Sequence, residues 1–325
     1  MIKRIDEMLK LWAQDLHSPI PETYGGASGG NMIAMLMECK GELIRGTRGS
    51  RVLLDESADI ELIVVNDGST DNSVEVLADY QARHPQLQVV HQANAGAAAA
   101  RNHGIRLARG RYALLLDADD ELLPTALASL REVLASNPQA GLVLGAQLSV
   151  TPDGRERLRL PTPASGTPAQ LIQRYLLDKK ISISHCCTLF RRDLLLQRPY
   201  PESLRTGEDI AVFAYLLVSA PVALTNQPLA RIYKHADSLR HNRADEEAVA
   251  QGMLREVFAS LPAECQPLRQ RYEAQRYLSL FRAALLAGDG AVARRYYRHA
   301  LRLSPMQALR WSYLKKALRL GLGLA

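Results

Sequence analysis

Three carboxylates, Asp117, Asp119 and Asp120, close the run Leu114-Leu115-Leu116-Asp117-Ala118-Asp119-Asp120. Residues two apart on an extended strand face the same way, so Asp117 and Asp119 can address one cation. Hard oxygen ligands select Mg2+ or Mn2+, ions that keep water and phosphate oxygens in their remaining positions. At the C-terminal end of a parallel strand, such a cluster also lies where open α/β sheets bind ligands. The same residues would equally suit an acidic turn leading into Leu122, and both readings stand at this level.

The elements that must position this cluster follow from the apolar rhythm. Ile60-Glu61-Leu62-Ile63-Val64-Val65 is a short β-branched run ended by Asn66-Asp67-Gly68-Ser69, the pattern of a buried parallel strand meeting a turn. Asp71 or Ser73 can cap the following helix, whose apolar side is Val74, Leu77, Ala78 and Tyr80. Leu87 to Val90 reads as a second strand. Asn94-Ala95-Gly96 opens an Ala-rich helix that Gly110 ends, and Arg111 to Leu116 is the third strand, running into Asp117. Four prolines and two glycines between 151 and 168 predict a mobile loop. Ile181 to Phe190 is predicted to be a further strand, with Cys186 and Cys187 packing on its opposite faces.

Composition narrows the class. The 325 residues are 47% hydrophobic and 23% charged, which excludes a disordered or collagen-like chain. Cys39, Cys186, Cys187 and Cys265 form no CxxC pair, so a reducing compartment is expected and a disulfide framework is not. No stretch reads as a membrane span or a signal peptide, so a cytoplasmic protein is expected. The net charge of +6 is uneven: from residue 251 onward, 13 Lys and Arg against 4 Asp and Glu give +9, leaving −3 for the rest. A basic tail suits an anionic surface or a solvated helix face. No nucleic-acid-binding motif accompanies it, and no nucleic-acid partner is expected.

Order and spacing of several blocks together resemble family 2 glycosyltransferases of the GT-A fold. They are Val65-Asn66-Asp67-Gly68-Ser69-Thr70-Asp71, then Asn94-Ala95-Gly96 with Ala100-Arg101-Asn102 and Gly104, then Leu116 to Asp120. Gly207-Glu208-Asp209 and Tyr233-Lys234-His235 with Ser238 follow in sequence. The resemblance implies an α/β, Rossmann-like nucleotide-sugar domain with a mainly parallel sheet at 59–245 and a basic helical region at 246–325. It implies that Asp67 hydrogen-bonds the nucleotide base with Arg101 beside it, and that Asp117 reaches the ribose or the metal. Asp119 would ligate a Mg2+ or Mn2+ ion bridging the phosphates, and His235 would come to the metal or diphosphate. Asp209, with Glu208 as second candidate, would be the catalytic base of an inverting transfer. By the resemblance the donor would be a nucleotide-sugar, a UDP-sugar, and the acceptor a saccharide or a lipid-linked one in surface polysaccharide synthesis.

Two features depart from that pattern or add to it. Residues 1–58 read as an atypical segment without the family's usual first strand: Ile33 to Met37 is apolar but reads as helix with Glu38 and Lys40. An open edge and an incomplete base pocket would follow, leaving an impaired enzyme or a binding protein as the alternative. At the other end, Leu278 to Leu286 and Ala291 to Leu303 are expected to form an αα-hairpin, followed by a helix from Ser304. In that last helix Met306, Leu309, Tyr313, Leu314, Ala317, Leu318 and Leu320 share a broad face opposite Lys315, Lys316 and Arg319. This face suits either packing or peripheral contact with the inner face of the cytoplasmic membrane.

Overall fold

The computed structural model describes residues 33–39, 60–84, 87–117, 120–233 and 246–321, all within one compact unit of residues 31–325. Strands β1 (Ile33–Cys39) and β2 (Ile60–Asp67) lead to helix α1 (Ser73–Arg83), strand β3 (Leu87–Gln92), helix α2 (Ala97–Leu107) and strand β4 (Tyr112–Asp117). These four strands are parallel, in the order β3-β2-β1-β4. The helix expected at Ile33 to Met37 is therefore a strand, and it fills the central place that the sequence reading left empty. Its backbone pairs Ile33 with Ile60 on one side and with Tyr112 on the other.

The second half of the sheet changes direction. It adds β5 (Glu121–Leu122), helix α3 (Ala126–Ser136), β6 (Leu142–Val150), β7 (Glu156–Arg159) and a helical segment, α4 (Pro168–Ile172), that continues as a π turn over Gln173–Leu177. A 3-10 turn at His185–Cys187 enters β8 (Thr188–Arg191), followed by α5 (Arg192–Gln197), α6 (Glu208–Ser219) and β9 (Val222–Tyr233). Beyond β4 the order is β8-β6-β9-β5, with β7 also on β6; among the described residues the only parallel pair there is β6 with β9. The sheet is thus mixed, with its longest ladders parallel and shorter antiparallel ones in this half. Two local expectations change as well. Residues 181–184 precede the strand, which starts at Thr188, and the Pro- and Gly-rich stretch 151–168 holds β7, paired antiparallel with β6.

The core lies on both faces of the sheet. Leu62, Leu114, Leu116, Leu127 and Leu130 pack on one face. Ile63, Leu115, Phe190, Phe213, Leu216 and Leu217 pack on the other. Helix α6 is apolar almost all round, and Ala211 to Ala214, Leu216 and Leu217 are buried. Burying its Phe and two Leu contributes roughly 1.5–3 kcal/mol each, which fixes the helix and therefore the aim of its first turn.

The C-terminal residues form α7 (Glu246–Ala259), a 3-10 turn (Ala263–Leu268), α8 (Arg269–Leu286), α9 (Gly290–Leu303), α10 (Pro305–Ala308) and α11 (Trp311–Gly321). Helices α8 and α9 make the expected hairpin, with the Asp289 carboxylate accepting the Val292 N–H at 3.0 Å as N-cap. The single helix expected after Ser304 is interrupted at Leu309–Arg310. Tyr313, Ala317 and Leu320 join the core cluster that holds Ala293, Tyr296 and Ala300 of α9, whereas Met306, Leu309 and Leu318 of the same expected face are exposed. Among the described residues no helix is long and apolar enough to cross a membrane.

Candidate active site

The site is assembled from turns at the C-terminal ends of the parallel strands. At the end of β2, Asn66 Oδ1 accepts the Ser69 N–H at 3.0 Å, and Gly68 takes φ +67°. A Cβ on Gly68 would lie 2.7 Å from the Asn94 backbone nitrogen, so the two turns touch only because residue 68 is glycine. Asp67 is fully buried between them. Its Oδ1 accepts from Ala95 N–H and Gln92 Nε2, and its Oδ2 from Gly96 N–H, each at 2.8 Å. A carboxylate offers about four acceptor positions, and here two hold the 94–96 turn and a third holds Gln92 at the end of β3.

Helix α2 starts from that turn and delivers Arg101. Its guanidinium donates to Asp117 Oδ1 at 3.1 Å and to Glu208 Oε1 at 2.9 Å, and it lies 5.7 Å from the centre of the Tyr200 ring. The Arg101 side chain is 10% exposed and Glu208 14%, whereas Asp117 remains 36% exposed and open to a ligand. Enclosure by protein pushes the Asp117 pKa up, but the Arg101 charge and hydrogen bond outweigh it, and the carboxyl stays below its ordinary range. Next to it, Asn102 donates to the Tyr200 carbonyl at 2.8 Å and to Glu202 at 2.9 Å, and accepts the Tyr200 N–H at 2.8 Å. Arg101 and Asn102 together tie α2 to the segment that leads into α6.

Under the acidic turn, the Cys186 thiol donates to Asp120 Oδ2 at 2.9 Å and accepts the Asp117 N–H at 3.4 Å. Asp120, buried, also accepts the Tyr233 N–H at 3.1 Å. Burial first, then the charges of Asp117 and Asp120, push the Cys186 thiol pKa well up. It is a protonated donor and no thiolate ligand. Cys186 is therefore more than the packing residue expected from the sequence. Asp117, Asp120 and Cys186 place their ligating atoms within 4.8 Å of one another. The donor set fits a hard divalent cation through Asp117, with Asp120 and Cys186 bracing the turn from behind. Asp119 and His235 lie outside the described residues. The strand that leads to His235 ends at Tyr233, bound to Asp120.

Across the bridge, α6 begins with Glu208 and Asp209 after Gly207, whose φ is +73°. Burial raises the Asp209 pKa, and the neighbouring Glu208 charge raises it further against the opposing pull of Arg101. Tyr175 on the π turn and Tyr272 on α8 are both raised, mainly by burial and in part by Asp209, so the helical region reaches this end of the site. His185 is buried, with Nε2 3.0 Å from the Tyr200 hydroxyl, and burial followed by the Arg101 charge lowers its pKa to about 3. It is neutral.

Of the residues singled out in the sequence, the structure thus brings Arg101, Asp117 and Glu208 into one ion-paired group, places Asp209 beside Glu208, and puts Asp67 under the turn from which α2 starts. Sequence reasoning missed Cys186, His185 and Tyr200. A thiol has no fixed spacing from its carboxylate partner, and His185 and Tyr200 belong to no block with a recognisable period.

Comparison with known proteins gives this geometry a family. Residues 49–198 match the family described as "Glycosyl transferase family 2". The uncharacterized glycosyltransferase YibD of Escherichia coli K12 is 54% identical over 66 residues, 20% of this chain and 19% of that protein. The poly-beta-1,6-N-acetyl-D-glucosamine synthase of Staphylococcus epidermidis is 31% identical over 188 residues, 55% of this chain and 44% of the synthase. The chain thus covers less than half the length of these relatives. Among solved structures, S. aureus TarS 1–349 in complex with UDP-GlcNAc superposes with a TM-score of 0.57 at 15% identity, covering 89% of this chain and 79% of that one, a likeness of fold. With its blocks at the strand ends of a GT-A sheet, the chain carries over residues 49–198 the match to glycosyltransferase family 2.

Proposed function

We propose that this chain is an inverting, metal-dependent glycosyltransferase that moves a sugar from a nucleotide-sugar, a UDP-sugar, to a saccharide or lipid-linked acceptor. We place it in surface polysaccharide synthesis at the inner face of the cytoplasmic membrane. The observation that carries the reading is the Arg101 bridge. Two carboxylates 91 positions apart, Asp117 and Glu208, meet on one guanidinium, so a metal- and phosphate-binding turn and a candidate base share one site. The S. aureus TarS complex with UDP-GlcNAc has this fold and supports the donor class, and the S. epidermidis synthase supports the polysaccharide setting.

In this reading the fourth acceptor position of Asp67 takes an N–H of the base, and Arg101 closes the base side of the pocket. Asp117, with Asp119 and His235 as the motif blocks suggest, would hold the cation. A Mg2+ or Mn2+ ion there would stabilise negative charge on the departing nucleoside diphosphate. Asp209 accepts the acceptor hydroxyl proton while that oxygen bonds to the anomeric carbon and the bond to the diphosphate breaks, which inverts the centre. Glu208, held by Arg101, keeps the neighbouring carboxylate basic enough for that step. The impaired-enzyme alternative drew on an absent first strand, and β1 removes its motive.

The test is calorimetric titration of UDP with and without Mn2+. Wild type should bind with an affinity that the metal raises, and Asp117→Asn and Asp119→Asn should lose that metal dependence. Asp209→Asn should keep binding yet lose about 100-fold or more in turnover of a UDP-sugar. A folded wild-type protein that binds no UDP in either condition would refute the UDP reading.

A further inference from the structure

The surface formed by α9, α10 and α11 belongs to no part of the site described above. Residues 290–321 contain eight Lys and Arg and no Asp or Glu. On α9, Arg294, Arg298 and Arg302 are exposed and four apart, hence on one stripe. Part of the apolar face expected to meet a membrane is occupied by packing: Tyr313, Ala317 and Leu320 join the core cluster that holds Ala293, Tyr296 and Ala300 of α9. The rest of that face stays outside together with Trp311: Met306 is 84% exposed, Trp311 70%, Leu318 53% and Leu309 52%.

These residues form a pattern. Trp311 and Leu318 are seven apart on α11 and therefore within about 20° of each other around its axis. Lys315 and Arg319, both exposed, lie on the same outward half of the helix. Met306 lies on α10 and Leu309 in the break just before Trp311. The patch is held firmly: the Tyr297 hydroxyl donates to the Ala308 carbonyl at 3.1 Å and Gln270 donates to the Leu303 carbonyl at 3.0 Å. Long cationic side chains beside an exposed Trp and Leu match the boundary of an anionic bilayer. There an indole sits at headgroup level, aliphatic groups enter the acyl edge and Lys and Arg meet lipid phosphates.

We infer that this face docks on anionic phospholipid bilayers through Trp311, Leu318, Met306 and Leu309, with Lys315, Lys316 and Arg319 supplying the electrostatic attraction. The inference names the surface behind the membrane location proposed above and rests on that reading only for the acceptor's source. The absence of any acid over 32 residues selects a negatively charged partner. The exposed aromatic and aliphatic groups select one with an apolar interior over a polyanion such as nucleic acid.

The experiment is co-sedimentation with vesicles of phosphatidylcholine alone and of phosphatidylcholine with phosphatidylglycerol. It uses the full chain and titrates UDP in parallel as a separate reading of the active site. The chain has two tryptophans, so a Trp12→Phe background makes Trp311 the sole reporter. Binding to the anionic vesicles is expected, weakened by salt and accompanied by a blue shift of Trp311 emission. Lys315→Ser/Lys316→Ser/Arg319→Ser should lose on the order of 100-fold in vesicle affinity with UDP binding unchanged. Trp311→Ser/Leu318→Ser should lose the apolar part and leave the salt-dependent part. Failure to bind anionic vesicles by a protein that still binds UDP overturns the inference. Equal binding to both vesicle types, or binding to duplex DNA but to neither vesicle, overturns it too. Failure of UDP binding alone would strike the donor reading and leave this surface standing.

Discussion

The Cys186 thiol is the residue least expected from its type. It sits between the Asp117 N–H and the Asp120 carboxylate, so it sets the height of the acidic turn without touching a ligand. Cys186→Ser preserves a donor and an acceptor at that point and should retain metal-dependent activity. Cys186→Ala leaves Asp120 short of a donor in a buried place, at a cost of about 1–3 kcal/mol. It should raise the metal concentration needed for half-maximal rate while changing kcat less, as a metal titration of both variants would read. A second prediction concerns the base. Because the Glu208 charge helps to hold the Asp209 pKa above its ordinary value, Glu208→Gln should lower it. A base works once deprotonated, so the acid limb of the pH–rate profile should move to lower pH in the variant; a limb that stays in place would count against Asp209 as base. The places of Asp67, Arg101, Asp117 and the Glu208-Asp209 pair at strand ends and helix starts could be read from the motif blocks in which they stand, while the roles given to them rest on the family resemblance. Cys186 was not, since what gives it a role is contact across 66 positions.

Elements turn these residues into a site chiefly through the way α6 begins. Gly207 has a left-handed φ, and a Cβ there would come within 2.2 Å of Met253 Cε on α7. Gly207→Ala should therefore cost about 1–3 kcal/mol from strain and crowding, seen as a lower urea midpoint. It should also reduce kcat more than UDP affinity, because it displaces Glu208 and Asp209 and leaves Asp67 alone. Adding Met253→Ala should recover the steric part and not the φ strain. The alternation of strands and helices at 60–117 was readable from β-branched runs ended by turns, and the helical hairpin from its apolar period. β1 was not. Short apolar runs fit a helix and a buried strand equally well by period, and Glu38 and Lys40 beside this one tipped the reading toward helix. Its strand character comes from pairing on both sides, with β2 and β4, which no local pattern carries. The antiparallel half of the sheet was hidden for the same reason.

At the scale of the molecule, the family match starts at residue 49, yet a strand at 33–39 completes the sheet between β2 and β4. A protein cut at Ile60, where the recognisable blocks begin, would keep every motif residue and lose the seam that joins them. Both β2 and β4 would then show an unsatisfied row of backbone N–H and C=O groups, facing each other across a gap one strand wide. Such a fragment should self-associate by strand addition, eluting as concentration-dependent oligomers where the full chain does not; a soluble monomeric fragment would contradict the pairing. The same slot is a template for any extended peptide of matching register, so residues 33–39 supplied in trans as a free peptide should suppress the association. The seam is thus a built-in point of fragment complementation, the place where this fold can be divided and rejoined.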